Sequence, residues 1–267
     1  MTKQAMRAWT TVRGQVDEML DSITDFEWLA PSACPGWLVR DVVAHLGANA
    51  RAPIEPLPEI EPAPPMPDNR ERLHDLVVAH RRAWPIAEIL HEYHTYVPKL
   101  VDFVASMQDQ PAAEKPFPVP GLGIYPAHSL ANAMVFDYYC HMRHDLLRPA
   151  GPLYCVLPSP DHDTVYSAVV WMMLGLPQMQ GSDLDETVRA PITFRLTGAG
   201  ASEWTVHRRG PSGALVVEET GGGDVVVTSE ADAFIAWGTQ RRRWRTDCTI
   251  EGDESLAVPL LDALNIV

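Results

Sequence analysis

CPGWLVRDVVAHL (34–46) joins a tight Pro-Gly turn to a run whose apolar positions follow helical spacing. Leu38, Val42, His45 and Leu46 fall on related faces of one helix, LVRDVVAHLGANAR (38–51), so the helix carries a histidine among its apolar residues. Upstream, AMRAWTTVRGQVDEMLDSIT (5–24) repeats the spacing with Trp9, Val12, Val16, Met19, Leu20 and Ile23. Two amphipathic helices around a turn-rich stretch are the start of a helical bundle.

Downstream, PIEPLPEIEPAPPMP (53–67) contains seven prolines and breaks the helical pattern. It reads as a surface loop, with a lid over a site as the alternative. Asn69 to Met107 is helical again, with Pro85 and Pro98 expected to break or kink it. A further loop, QPAAEKPFPVPGLGIYP (110–126), leads into a helix near Ala127–Leu147. Four helical segments with long connections predict an up-and-down-type bundle.

The pattern changes after Gly151. ITFRL (192–196), EWTVHR (203–208), ALVVEE (214–219) and DVVVTS (224–229) are short β-rich runs separated by Gly, Pro and Ser. A helical EADAFIAWG (230–238), a strand TDCTI (246–250) and a closing helix from Asp253 to Leu264 follow. The expected fold class is therefore α plus α+β: a helical bundle over 1–151 and a smaller α+β domain over 152–267.

Composition narrows the function classes. At 46% hydrophobic and 21% charged residues, the 267-residue chain is expected to be globular. A formal net charge of -14 repels phosphate backbones and argues against nucleic acid as a partner. No apolar run approaches the ~20 residues of a membrane span, and the first residues lack a signal-peptide core, so a cytoplasmic protein without a membrane partner is expected. The four cysteines, Cys34, Cys140, Cys155 and Cys248, form no C-x-x-C pair and read as reduced thiols. The oligomeric state has no signature in the chain.

Two histidine-bearing helices stand out. One holds Asp41 and His45; the other, FDYYCHMRHDLLRPAG (136–151), holds Asp137, His141 and His144. At ~100° per residue, Asp137 and His141 lie ~40° apart and His144 ~20° to the other side. Two imidazoles and a carboxylate on one stripe of an apolar helix are costly to bury without a bound partner, and a divalent ion suits them. A hydrogen-bonded structural face is the alternative. His91, Glu92 and His94 form a second cluster that lacks i, i+4 histidine spacing and reads as surface. The run Arg241, Arg242, Arg243, Trp244, Arg245 is either a solvated loop or an anion site for a carboxylate. Cys140 should face a neighbouring helix, ~100° from His141, and Cys34 is a minor candidate nucleophile.

With these residues in view, the chain resembles the DinB-like, mycothiol-dependent maleylpyruvate isomerase family. CPGWLVRDVVAHL is similar to that family's turn into a metal-binding helix, which implies His45 as a ligand. The segment D-Y-Y-C-H is similar to the family's E-x-x-x-H, which implies Asp137 and His141 as the other two. Asp here stands for Glu. The family aspartate also usually follows the second histidine by three residues, where this chain has His144, with Asp145 next. A set of His45, His141 and His144, with Asp137 orienting a histidine, stays open. ITFRLTGAG, EWTV, VVVTSEADAFIAWGTQRRRWR and IEGDESLAVPLLDAL resemble the family's C-terminal domain, which is similar to sterol-carrier proteins.

The resemblance implies a metal ion, zinc on donor chemistry, and mycothiol, the abundant thiol of actinobacteria, as cosubstrate. It implies an isomerase or S-transferase acting on a small, carboxylate-bearing electrophile. His144 or Asp145 would shuttle a proton, and Arg241 or Arg243 would steer the carboxylate. A metal-dependent hydrolase or lyase on the same scaffold and a non-catalytic small-molecule-binding protein are the competing readings.

Overall fold

The computed structural model describes residues 2–57, 70–181, 183–184, 186–210 and 213–266. Most of the proline-rich stretch, from residue 58 on, lies outside them, and so does the choice between loop and lid.

Helix α1 (Thr2–Ser22) buries Ala5, Ala8, Trp9, Val12, Val16, Met19 and Leu20, one continuous stripe at helical spacing. Helix α2 (Val39–Arg51) begins where the Asp41 carboxylate accepts the Leu38 N–H at 3.0 Å, so Asp41 serves the helix start. It packs against α3 (Arg70–Arg81) and α4 (Ile86–Ala105). Pro85 separates α3 from α4 as expected. Pro98 lies within α4 without ending it.

Glu92 is a correction to the surface reading. His91 and His94 are exposed, but Glu92 is buried and receives both Arg81 Nε (2.6 Å) and Arg81 Nη2 (2.8 Å). The bidentate pair ties α3 to α4.

The expected loop at 110–126 contains an antiparallel hairpin, β1 (Pro116–Val119) with β2 (Gly123–Pro126). Tyr125 anchors it on Trp171, with ring centroids 4.6 Å apart. Helix α5 (Leu130–Cys140) is buried on nearly every face and ends in a π-helical turn, His141–Leu146. The Leu147 N–H reaches back to the Met142 carbonyl, an i→i+5 bond.

Helix α6 (His162–Met179) has no counterpart in the sequence reading. It packs against α1 and α5 on one side and α7 on another, and from Ala168 to Leu176 it is apolar on every face. A helix without a polar face has no period to read.

The five-stranded sheet has the order β5-β4-β3-β6-β7, built from β3 (Ile192–Thr197), β4 (Ser202–Arg208), β5 (Leu215–Glu218), β6 (Val225–Glu230) and β7 (Cys248–Glu251). The central pair β3–β6 is parallel and the other pairs are antiparallel. Helices α7 (Ala231–Gly238) and α8 (Glu254–Ala263) pack on it, with Phe234 and Trp237 against Phe194. The architecture is a helical N-terminal region followed by a mixed sheet with helices. Among the described residues no helix is long and apolar enough to cross a membrane.

Candidate metal centre

The Pro-Gly turn depends on Gly36, whose φ of +79° is open to glycine and costly for a side chain. It carries Trp37 inward, where Nε1 donates to Asp75 Oδ1 at 2.8 Å. The indole lies 5.2 Å from the His45 ring and 6.3 Å from the His141 ring, between centroids. The Ala33 N–H donates to the Asp145 carbonyl at 2.9 Å, clamping this turn to the π turn.

His45 from α2, Asp137 from α5 and His141 from the π turn converge there. Their ligand atoms lie within 4.8 Å of one another. Asp137 Oδ1 is 3.3 Å from His45 Nε2 and 3.5 Å from His141 Nε2. Tetrahedral zinc with ~2.0–2.2 Å bonds needs donors roughly 3.4 Å apart, and both separations from Asp137 Oδ1 match that spacing. Burial pushes the Asp137 carboxyl up, but the facing His45, His141 and His74 outweigh it and hold the group well below the usual carboxylate range.

The other nitrogen of His141 is fixed. Nδ1 lies 2.7 Å from Asp145 Oδ2, and Arg241 holds the same carboxylate with Nε and Nη2 at 2.8 and 2.9 Å. Burial raises the Asp145 pKa, yet hydrogen bonds from His141 and Arg241 keep it well below the ordinary carboxylate range. An ionised carboxylate only accepts, so His141 donates from Nδ1 to Asp145, which leaves Nε2 as the ring nitrogen facing the centre, 3.5 Å from Asp137 Oδ1.

His144 is not in this group. Its Nε2 lies 3.2 Å from Asp232 Oδ1, against the C-terminal region. The expectation assumed ~100° per residue, and the wider π turn advances less. The same turn absorbs one extra residue, which brings Asp145, rather than the residue at 144, under His141. Arg241 lines the site but is engaged by Asp145, and Arg243 is exposed and lines neither cavity described below. The expectation for Cys140 is corrected. It lines the site, and burial pushes its thiol up to about 12 despite the Arg241 charge.

Two residues escaped the sequence reading. Asn49 Nδ2 donates to Asp137 Oδ2 at 3.3 Å and sits 3.0 Å from His45 Nε2. Its i, i+4 relation to His45 was a readable signal. His74 of α3 lies 4.4 Å from His45 between ring centroids, and nothing in its spacing announces it.

Two cavities meet at the group. The more polar one, of ≈ 260 Å³, is lined by Asp75, Cys140, Thr239, Arg241 and Asn265 beside His45 and His141, with Trp37 and Ile266 among its apolar walls. An apolar one of ≈ 390 Å³ lies between α4, the β1–β2 hairpin and α5. His74, Phe136 and Asp137 border both.

Fold and site define a class: a helical bundle with two histidines and one carboxylate converging at a candidate metal centre, continued by an α+β region. The mycothiol maleylpyruvate isomerase N-terminal domain family matches residues 9–146, just over half of the chain, and the chain belongs to that family. The crystal structure of the mycothiol-dependent maleylpyruvate isomerase aligns with 94% of this chain and 93% of its own at a TM-score of 0.58 and 12% identity. A histidine-to-alanine mutant of that enzyme aligns over the same shares at 0.57 and 11%. At such identities the likeness shows the fold. A sterol carrier protein domain of Helicoverpa armigera aligns with 40% of this chain at a TM-score of 0.30 and 17% identity, too low to carry an argument. No curated protein matches the chain by sequence.

Proposed function

We propose that this chain is a metal-dependent, thiol-dependent isomerase or S-transferase acting on a small electrophile, with mycothiol as the thiol. The observation that carries the reading is the convergence of His45, Asp137 and His141 where a polar and an apolar cavity meet. Family membership supports the thiol.

His45 Nε2, His141 Nε2 and the Asp137 carboxylate would hold the ion, zinc on donor chemistry, leaving a position open. A bound divalent ion supplies acidity, so that a thiol beside it is present as thiolate at neutral pH. Asp145 and Arg241 keep the His141 lone pair directed at the centre, and Asn49 holds the second Asp137 oxygen. Trp37 and Phe136 give the cavity beside the centre an apolar wall. Cys140, neutral and buried, is unsuited to nucleophilic attack, which favours a thiol brought from outside.

The test is elemental mass spectrometry on untagged protein beside His45→Ala and Asp137→Ala, followed by assays with and without mycothiol. About one equivalent of zinc, lost in both variants, with turnover that needs the thiol, is the expected result. Metal-free protein after incubation with zinc or nickel would overturn the proposal.

A further inference from the structure

The larger cavity has a polar end and an apolar length. Among the described residues that line it, the polar side chains Asn49, His74 and Asp137 stand together at the candidate centre: Asn49 donates to Asp137 at 3.3 Å, and the His74 ring lies 4.4 Å from that of His45. The remaining walls are apolar, with Leu100 and Phe103 of α4, Phe117 and Leu122 of the hairpin, Met134 of α5 and Trp171 of α6.

Helix α5 gives this space its direction. Leu130, Met134 and Asp137 recur at i, i+4 and i+7 on one stripe of the helix, and all three line the cavity. At 1.5 Å per residue the stripe runs ~10 Å from Asp137 to Leu130. Phe103, Phe117, Leu122 and Met134 pack on the core yet are only half-buried, so they keep apolar surface that a ligand can take out of water. A cavity of ~150 Å³ accepts benzene, so ≈ 390 Å³ admits a ring or a chain of several methylenes. An electrophile of a few polar atoms would fill only the end beside Asp137.

We propose that the electrophile is amphipathic, with its reactive end at Asp137 and an apolar body, an alkyl chain or a ring, laid along α5 in this cavity. The inference deepens the thiol-dependent reading above and rests on it. It concerns the body alone, since a carbonyl or a carboxylate at the reactive end would face the ion proposed on His45, Asp137 and His141. Phe136 and Asp137 border both cavities, so a thiol in the more polar one meets the reactive end there. With an enone, the thiolate sulfur bonds to the β-carbon and the carbon–carbon double bond becomes single. The electron pair of that bond takes up a proton at the α-carbon, replacing the one that the thiol released to solvent, so the addition is redox-neutral.

Two matched pairs of compounds test this. 3-Penten-2-one and 3-nonen-2-one share the enone and differ only in alkyl length; 2-pentanone and 2-nonanone are their unreactive saturated counterparts. On the zinc-loaded protein, mass spectrometry follows the mycothiol adduct of each enone, corrected for the uncatalysed reaction, and calorimetry measures the binding of each ketone. Burial of one methylene is worth about fourfold in affinity, so the longer member of each pair is expected to be favoured ~10-fold or more. Leu122→Trp, which fills the cavity, and Met134→Gln, which makes its wall polar, should each lower that ratio by ~3-fold or more. A smaller preference for the longer ketone in the parent protein overturns the proposal, as does a preference that neither substitution lowers. A preference for the longer ketone that the substitutions lower, without any thiol adduct, keeps the cavity assignment and removes the thiol-dependent reading. Thiol-dependent turnover of both enones at equal rates does the reverse.

Discussion

His141 is the residue on which the centre turns. It presents Nε2 to Asp137 and anchors Nδ1 on Asp145, so its ring cannot rotate without breaking a 2.7 Å bond. His45 is flanked by Trp37, His74 and Asn49. His45→Ala is expected to abolish stoichiometric metal binding while circular dichroism keeps most of its helical signal. Retained metal would displace His45 from the ligand set. Cys140→Ser is expected to leave turnover within about twofold, because a thiol pushed up to about 12 is almost wholly protonated at neutral pH. A complete loss, in a variant that still binds metal, would make Cys140 a participant.

At the scale of elements, the π turn and its neighbours set the geometry. A side chain at Gly151 would run into the backbone of Asp145 and Leu146. Gly151→Ala therefore pushes on the turn that seats His141. The expected loss is about 1–3 kcal/mol in denaturant unfolding, with weaker metal binding. Unchanged stability would mean that the turn yields freely. The hairpin was hidden because its four prolines and two glycines read as breakers, yet β1 and β2 are four residues each and Pro116 and Pro118 take the exposed positions of β1. Helix α6 was hidden for the opposite reason, being too uniformly apolar to show a period.

For the whole molecule, the charged pair Asp145–Arg241 and the Tyr139 hydroxyl, which donates to Asp232 at 2.7 Å, link the bundle to the C-terminal region. Asp145 is fully buried, so Asp145→Asn leaves Arg241 and His141 without their charge partner. The expected cost is ~3–5 kcal/mol in stability, with metal affinity lowered ~10–100-fold. The pH dependence has a definite sign. The Asp145 pKa is depressed on folding, so its contribution is complete above the unfolded value of ~3.9 and is lost as pH falls below it. Denaturant midpoints between pH ~6 and ~3 should fall more steeply for the parent than for Asp145→Asn. Parallel curves would remove the charge argument. Helix α6 covers α1 and α5, so a fragment 1–151 is expected to show less helical signal per residue than a fragment 1–181. A well-folded 1–151 would make the sequence boundary a true domain border.

The sequence by itself determined the order of helices and strands wherever one face is apolar and the other polar, because that alternation records which face is buried. Its spacing put Asp137, His141 and His144 on one stripe, and the family resemblance pointed to His45, Asp137 and His141. Only the tertiary structure decided that His144 turns away and Asp145 turns in, that Arg241 is engaged while Arg243 is exposed, and that Asn49 and His74 join the site. Those outcomes depend on a wide helical turn and on contacts between segments distant in the chain, and neither leaves a period in the sequence.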